Sequence, residues 1–359
     1  MPQFTRDRAL LSAGSALALM LLAPQGAAIA DEVCPGEKPS TIVANASGGA
    51  MAEAMRNAFT NDFEELYGID VIDTSPADVA RLKAMVEANN VEWAVAELPG
   101  QDVLLAEREG LLEPIDRDIV DMSGFPAEAR ESDYWFAKSA YATVLGYSTE
   151  AFPTEHPKSW AEFWDVETYP GPRSLRDDPV DNLEYALLAD GVAPEDLYPL
   201  DVDRAFEKMD EIAPHITVWW ASGQQPAQLL LDGEVVLASG WNGRFYGLIQ
   251  EGAPLDIEWN EGMIKLSAYG VPKGAPHACW GQHYLQVMTD PKRQAVYAEE
   301  IGYPGLHLES PQYVSEELAP YLPTAPGNIE RLVWTDLEWW TEHGPEVRER
   351  WNLWKLSHQ

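Results

Sequence analysis

Three groups of residues have types and spacings suited to holding a small molecule. The first is Asp177-Asp178-Pro179-Val180-Asp181, with Glu184 beyond it. Asp178 as a helix cap, with Asp181 one turn later, puts two carboxylates at a helix start. The helix dipole supports their charge there, and a bound cation gains as well. The same spacing also suits plain capping by Asp178 with Asp181 in solvent. The second group is Trp241-Asn242-Gly243, just after the apolar run 235–239. A Trp at a strand end projects a ring beyond the sheet edge, where open α/β sheets bind ligands, and its face can stack on an ammonium group. Packing is the other use of such a ring. The third group is Ser47-Gly48-Gly49, between a strand-like and a helix-like segment. Glycines let backbone N–H groups approach a ligand, and a helix start favours an anion.

Chemistry of other kinds is missing from the sequence. It has no Gly-x-Ser-x-Gly elbow, His-Glu-x-x-His pair, P-loop or Gly-x-Gly-x-x-Gly turn, which lowers the standing of the common hydrolase and nucleotide-binding classes. His277, Cys279 and His283 lie close together, but zinc sites use tighter paired spacings. No metal and no cofactor are expected. Cys34 and Cys279 are the two cysteines of the chain, and in an oxidising compartment they form a candidate disulfide, with two separate thiols as the alternative.

The elements that must position these groups alternate in type. Residues 41–44 read as a strand. Met55, Phe59, Phe63 and Leu66 share one helix face, and Gly68 stops that helix. Residues 69–72 read as a strand, and Ser75-Pro76 as the start of a helix with Val79, Leu82, Met85 and Val86 on its buried face. A strand over 91–97 and a helix over 102–109 complete a βαβαβα order, which implies a parallel sheet covered by helices. Residues 141–147 form a further strand that leads to a second α/β block over 160–260. Its helices fall near 183–189, 203–212 and 224–231, with a strand at 235–239. The extended run 264–271 offers a second crossing, and Asp290-Pro291 opens a helix that ends near Gly302. The tryptophans of the tail, Trp334, Trp339, Trp340, Trp351 and Trp354, read as helix packing.

The chain has 359 residues, a length that suits two domains. Its 46% hydrophobic and 23% charged residues are ordinary globular usage, which excludes wholesale disorder. A formal net charge of −35 argues against nucleic acid as a partner and is compatible with a cationic ligand. Arg6 and Arg8, the apolar run 9–23 and Ala28-Ile29-Ala30 read as a cleaved secretory signal over residues 1–30. The mature protein is therefore expected in the periplasm.

Several short motifs, in order, resemble the spermidine/putrescine-binding family of periplasmic solute-binding proteins that serve ABC importers. They are Ser159-Trp160-Ala161-Glu162-Phe163-Trp164, the 177–181 stretch, Leu231-Asp232-Gly233-Glu234-Val235, Gly240-Trp241-Asn242-Gly243 and Glu299-Glu300-Ile301-Gly302-Tyr303-Pro304. The resemblance implies an α/β, two-lobed periplasmic binding protein of type II-like architecture with two crossover hinges. Residues 31–145 plus about 268–310 would form one lobe, and 146–267 plus the helical tail at about 311–359 the other. It also implies delivery of a ligand to a membrane permease, no catalysis and a monomeric protein.

Carried over position by position, the resemblance places the family's acidic pair on Asp178 and Asp181, its second-lobe ring on Trp241 and its Tyr before Pro on Tyr303. The turns Ala46-Ser47-Gly48-Gly49-Ala50 and Leu98-Pro99-Gly100-Gln101 depart from the pattern, lacking the family's aromatic, Ser and Tyr residues. Lys265 and Ser267 stand where the family has a Trp and an Asp. Two ligands then stay open. One is a zwitterion such as an ω-amino acid or aminophosphonate, its amine on Asp178 and Asp181 and its anion on Ser47 and Lys265. The other is a plain diamine, with Lys265 turned away. The competing classes are a secreted carboxylate-pair hydrolase and a ligand sensor serving a membrane receptor.

Overall fold

The computed structural model describes residues 33–130 and 132–358, so the targeting segment read at 1–30 lies outside the described residues. The chain divides into two compact units, 1–38 and 39–359. In the first, residues 33–38 form a short turn that carries Cys34.

The second unit is a mixed α/β structure around a ten-stranded sheet. Its strands are β1 (Thr41–Asn45), β2 (Asp70–Thr74), β3 (Val95–Pro99), β4 (Leu112–Glu113), β5 (Trp135–Ser148), β6 (Arg173–Arg176), β7 (Ile216–Trp220), β8 (Leu237–Trp241), β9 (Leu255–Pro272) and β10 (Val333–Trp334). They lie in the order β2-β1-β3-β9-β5-β8-β6-β7, with β4 and β10 paired to β9. The two flanks are parallel, as the βαβ alternation predicts: β1 pairs with β2 and β3, and β6 with β7 and β8. The centre is antiparallel, because β5 and β9 are long strands that run past each other and join the flanks. Both are almost wholly buried, although polar and charged residues such as Lys138, Glu258 and Lys265 interrupt their apolar sequence.

Pairing between β5 and β9 is interrupted. Thr143 faces Met263, but Leu145 faces Glu258, so residues 259–262 bulge out of β9. Trp160 holds the bulge by donating its backbone N–H to the Glu261 carboxylate and its indole N–H to the Glu261 carbonyl, each at 3.0 Å. The break lies earlier on the second crossing strand than the 264–271 run.

Most helix signals act as read. Ser159 caps the helix Trp160–Trp164, and Asp290 caps Pro291–Ile301 by accepting from Lys292 and Arg293 N–H groups. Gly68 and Gly302 end their helices in the left-handed conformation that a side chain disfavours. Two starts differ. The helix Val79–Glu87 begins at the Asp78 cap and not at Ser75-Pro76. The helix Asn182–Ala189 has Asp181 at its cap position without a capping hydrogen bond, while Asp178 accepts from the Val180 N–H and closes a turn.

The tail helix Leu337–Ser357 buries Trp339, Trp340 and Trp351 in a core with Trp160, Leu183, Tyr185 and Phe206. Each fully buried aromatic of this kind contributes roughly 1.5–3 kcal/mol. Two of its ties reach residues near β3: Arg108 pairs with Glu338, and Thr341 donates to the Gln101 carbonyl at 3.5 Å.

Candidate functional site

Three strands of the two flanks end at one place. Glu97 on β3, Arg176 at the end of β6 and Trp241 at the end of β8 line a common cavity of about 160 Å³. Carboxyl ends of parallel strands are where such sheets leave room for a ligand. A larger hollow of about 740 Å³ beside Lys83 and Glu109 is open surface, and those two charges already pair at 2.9 Å.

Glu97 is 1% exposed. One carboxylate oxygen accepts from the Ser267 hydroxyl at 2.8 Å, and the other from the Ser47 backbone N–H at 2.5 Å. The Ser47 turn can make this approach because Gly49 takes φ 69°, ψ −143°, a region essentially restricted to glycine. Two donors fix the carboxylate and leave it lone pairs for a ligand N–H. Asp102, at the start of the helix Asp102–Arg108, supplies a second, half-buried carboxylate. Burial pushes its carboxyl up to about 6, with Arg348 and Arg176 opposing the rise and Asp178 adding to it.

Arg176 supplies the opposite charge. Its guanidinium carbon lies 5.7 Å from the ring centroids of both Trp220 and Trp241, and among the described residues it has no ion-pair partner. Asn182 sets the strand end by donating to the Arg176 carbonyl at 2.6 Å. A planar, forked cation between indole rings is suited to a carboxylate in two-point contact.

Aromatic residues close the cavity between these charges. Tyr141 meets Trp241 edge-on at 6.2 Å and Tyr303 at 5.9 Å. Burial raises the Tyr303 phenol to about 12 and the Tyr141 phenol further still, so both stay protonated donors. Tyr303 is 2% exposed, yet among the described residues its hydroxyl has no hydrogen-bond partner, and the Trp241 indole N–H has none either. The Trp241-Asn242-Gly243 motif builds this wall. Asn242 accepts from the Ala142 N–H at 3.0 Å and donates to the Gly302 carbonyl at 2.8 Å. A Cβ on Gly243 would stand 2.7 Å from the Tyr303 ring, and one on Gly223 2.3 Å from the Trp241 ring, so both glycines make room for aromatics.

Of the residues singled out in the sequence, Ser47, Trp241, Tyr303, Lys265 and Ser267 line this cavity, and Asp178 and Asp181 do not. Their expected roles need correction. Asp181 is 1% exposed and bound to the Lys265 ammonium at 2.5 Å, with the Thr143 hydroxyl donating to its other oxygen at 2.7 Å. Burial pulls the Lys265 ammonium below its ordinary value, and Asp181 opposes that shift. Asp178 lies 3.6 Å from Arg348. The acidic pair is therefore taken up by the protein's own cations, and Lys265 is not a free anion-binding group. Ser47 gives its N–H to the protein's own Glu97 carboxylate, so it is not open to a ligand anion. The expected polarity is reversed: the carboxylates open to the cavity are Glu97 and Asp102, and the open cation is Arg176. Sequence reasoning missed all three. A single charge ending the apolar run 93–98, and an Arg ending a strand, were the available signals. Cys34 and Cys279 are both disulfide-bonded, so neither is a thiol or a metal ligand.

A cavity between two sheet flanks, with opposite charges at strand ends and aromatic walls, defines a receptor for a small polar solute. Residues 57–322 match the family model described as bacterial extracellular solute-binding protein. The chain belongs to that family. The gamma-aminobutyric acid-binding protein of Pseudomonas aeruginosa is 35% identical over 316 residues, covering 86% of this chain and 88% of that one. The spermidine/putrescine-binding periplasmic protein of Escherichia coli is 26% identical over 222 residues, covering 59% and 63%. Among solved structures, an ABC transporter substrate-binding protein from Bradyrhizobium japonicum matches with TM-score 0.83 and 36% identity, over 88% of this chain and 99% of that one. A structure described as the Atu4243-GABA receptor matches with TM-score 0.81 and 34% identity, over 88% and 97%. These are two-lobed solute receptors, and this chain is a substrate-binding protein of the ABC transporter type, not an enzyme.

Proposed function

We propose that this receptor captures a short ω-amino acid of the 4-aminobutyrate class as its zwitterion, in the periplasm, and hands it as a monomer to a membrane permease. The observation that carries the reading is one cavity with an unpaired guanidinium and open carboxylates. Arg176 takes the ligand carboxylate. Glu97 and Asp102 take the ammonium, and Tyr141, Trp241 and Met51 flank the methylene chain. The names of two relatives, one matched by sequence and one by structure, support this ligand class. Arg176 weighs against a plain diamine, whose second ammonium it would repel.

We further place the lobes on either side of the β5–β9 break, with β1 to β3 in one and β6 to β8 in the other. The test of the ligand is calorimetric titration of 4-aminobutyrate and of butylamine, which lacks the carboxylate. Losing one partner of a desolvated charge pair costs about 2–5 kcal/mol, so Arg176→Met is expected to weaken 4-aminobutyrate well over tenfold. Butylamine binding is expected to hold or improve. Equal 4-aminobutyrate affinity in the parent and Arg176→Met would refute the assignment.

A further inference from the structure

Lys265 contributes to the cavity wall and at the same time spends its charge behind it. It is 3% exposed and lines the ligand space, while its ammonium lies 2.5 Å from Asp181, 3.1 Å from the Thr143 hydroxyl and 5.5 Å from the Tyr141 ring centroid. Asp181 does not line the cavity, whereas Lys265, its ion-pair partner, does. Asp181 also sits at φ 74°, in the left-handed region that a non-glycine residue seldom occupies. Strain of this kind persists where surrounding contacts over-determine it. Here Lys265 and Thr143 from two other strands hold the carboxylate.

We propose that Lys265 is a specificity-determining residue: its side chain is a built-in ammonium that occupies Asp181 and reserves the cavity for ligands with a single amine. The inference rests on the ω-amino-acid reading of the cavity. Of the charged residues that line the space, together with Asp181 behind Lys265, three carboxylates, Glu97, Asp102 and Asp181, stand against two cations, Arg176 and Lys265, which leaves one excess negative charge. A zwitterion adds no net charge and leaves that excess in place, whereas a diamine turns it into one excess positive charge. Truncating Lys265 joins the cavity to Asp181 and exposes a desolvated carboxylate beside the Tyr141 ring. The excess becomes two negative charges, which matches a diamine. A buried carboxylate stripped of its partner is costly and gains strongly from any cation that reaches it.

The experiment titrates putrescine and 4-aminobutyrate against the parent, Lys265→Ala and Asp181→Asn/Lys265→Ala. Lys265→Ala is expected to bind putrescine at least about tenfold more tightly than the parent, a gain of the size that a charge pair supplies. The double variant is expected to lose that gain. Putrescine binding no tighter in Lys265→Ala, or an equal gain in the double variant, would overturn the proposal. If Lys265→Ala is too unstable to titrate, thermal melting in ethylammonium chloride against sodium chloride replaces the titration. A melting temperature raised by ethylammonium in Lys265→Ala but not in the parent supports the role, and no selective rise overturns it. A parent that ignores 4-aminobutyrate counts against the ω-amino-acid reading, while the putrescine gain still reports on Lys265.

Discussion

At the scale of single residues, the site separates charges that serve the ligand from charges that serve the fold. Asp181 and Lys265 satisfy each other out of water, whereas Glu97 accepts from two neutral donors and lines the cavity. Asp102 titrates in a useful range, since burial raises its carboxyl to about 6. It is an anion above that pH and neutral below it. A ligand ammonium, with a pKa near ~10, and its carboxylate, near ~4, do not change charge across this window. Affinity for 4-aminobutyrate is therefore expected to fall as pH drops from 7 to 5. The fall should vanish in Asp102→Asn, and calorimetry at both pH values checks it. An equal fall in that variant would remove Asp102 from ammonium binding.

At the scale of elements, the helix Asn182–Ala189 carries a second acid whose state matters. Glu184 is 0% exposed, and one of its oxygens accepts from the Tyr198 hydroxyl and the Trp340 indole N–H, each at 2.6 Å. Its other oxygen has no hydrogen-bond partner among the described residues. Burial, reinforced by the Asp181 charge, raises its carboxyl to about 7. Unfolded, the group titrates near ~4.3, so the folded chain binds more protons between those values and stability falls as pH rises through the window. The contribution lost by pH 8 is of order 3 kcal/mol. Glu184→Gln keeps an acceptor oxygen and removes the titration. Its stability relative to the parent is expected to improve between pH 5 and pH 8, as read by urea unfolding at each pH. An unchanged gap would mean that Glu184 stays ionised in the fold.

At the scale of the 39–359 unit, β5 and β9 connect both flanks and lose their register where residues 259–262 leave the ladder. Cavity-lining groups come from both sides of that break, Glu97 and Asp102 from one and Arg176 and Trp241 from the other. A solute held by both flanks stabilises the arrangement that brings them together, and can shift that equilibrium only through its difference in affinity between states. Small-angle scattering is expected to show a smaller radius of gyration with saturating 4-aminobutyrate than without it. Identical profiles would argue against closure about the break.

The alternation of elements, the caps at Ser159 and Asp290, the stops at Gly68 and Gly302 and the packing role of Trp339, Trp340 and Trp351 were legible in the chain itself, whereas Trp334, read with them as helix packing, lies half exposed on β10. Each depends on neighbours within a few turns, and periodicity with local hydrogen bonding encodes such information directly. The strand-end positions of Trp241 and of the Ser47 turn were legible for the same reason. Which charges face the ligand was not. Asp181 and Lys265 are 84 positions apart, and Glu97 and Ser267 170 apart. Their pairing follows from strand order and register across β3, β9 and β5, which bring distant side chains within hydrogen-bond reach. A carboxylate's role depends on whether a cation lies within about 4 Å in a desolvated place. The sequence by itself determined that acids, a lysine and aromatics would gather at strand ends, and only the tertiary structure decided that Lys265 pairs with Asp181 and that Arg176 and Glu97 face one cavity, because strand order and register bring residues far apart in the chain together.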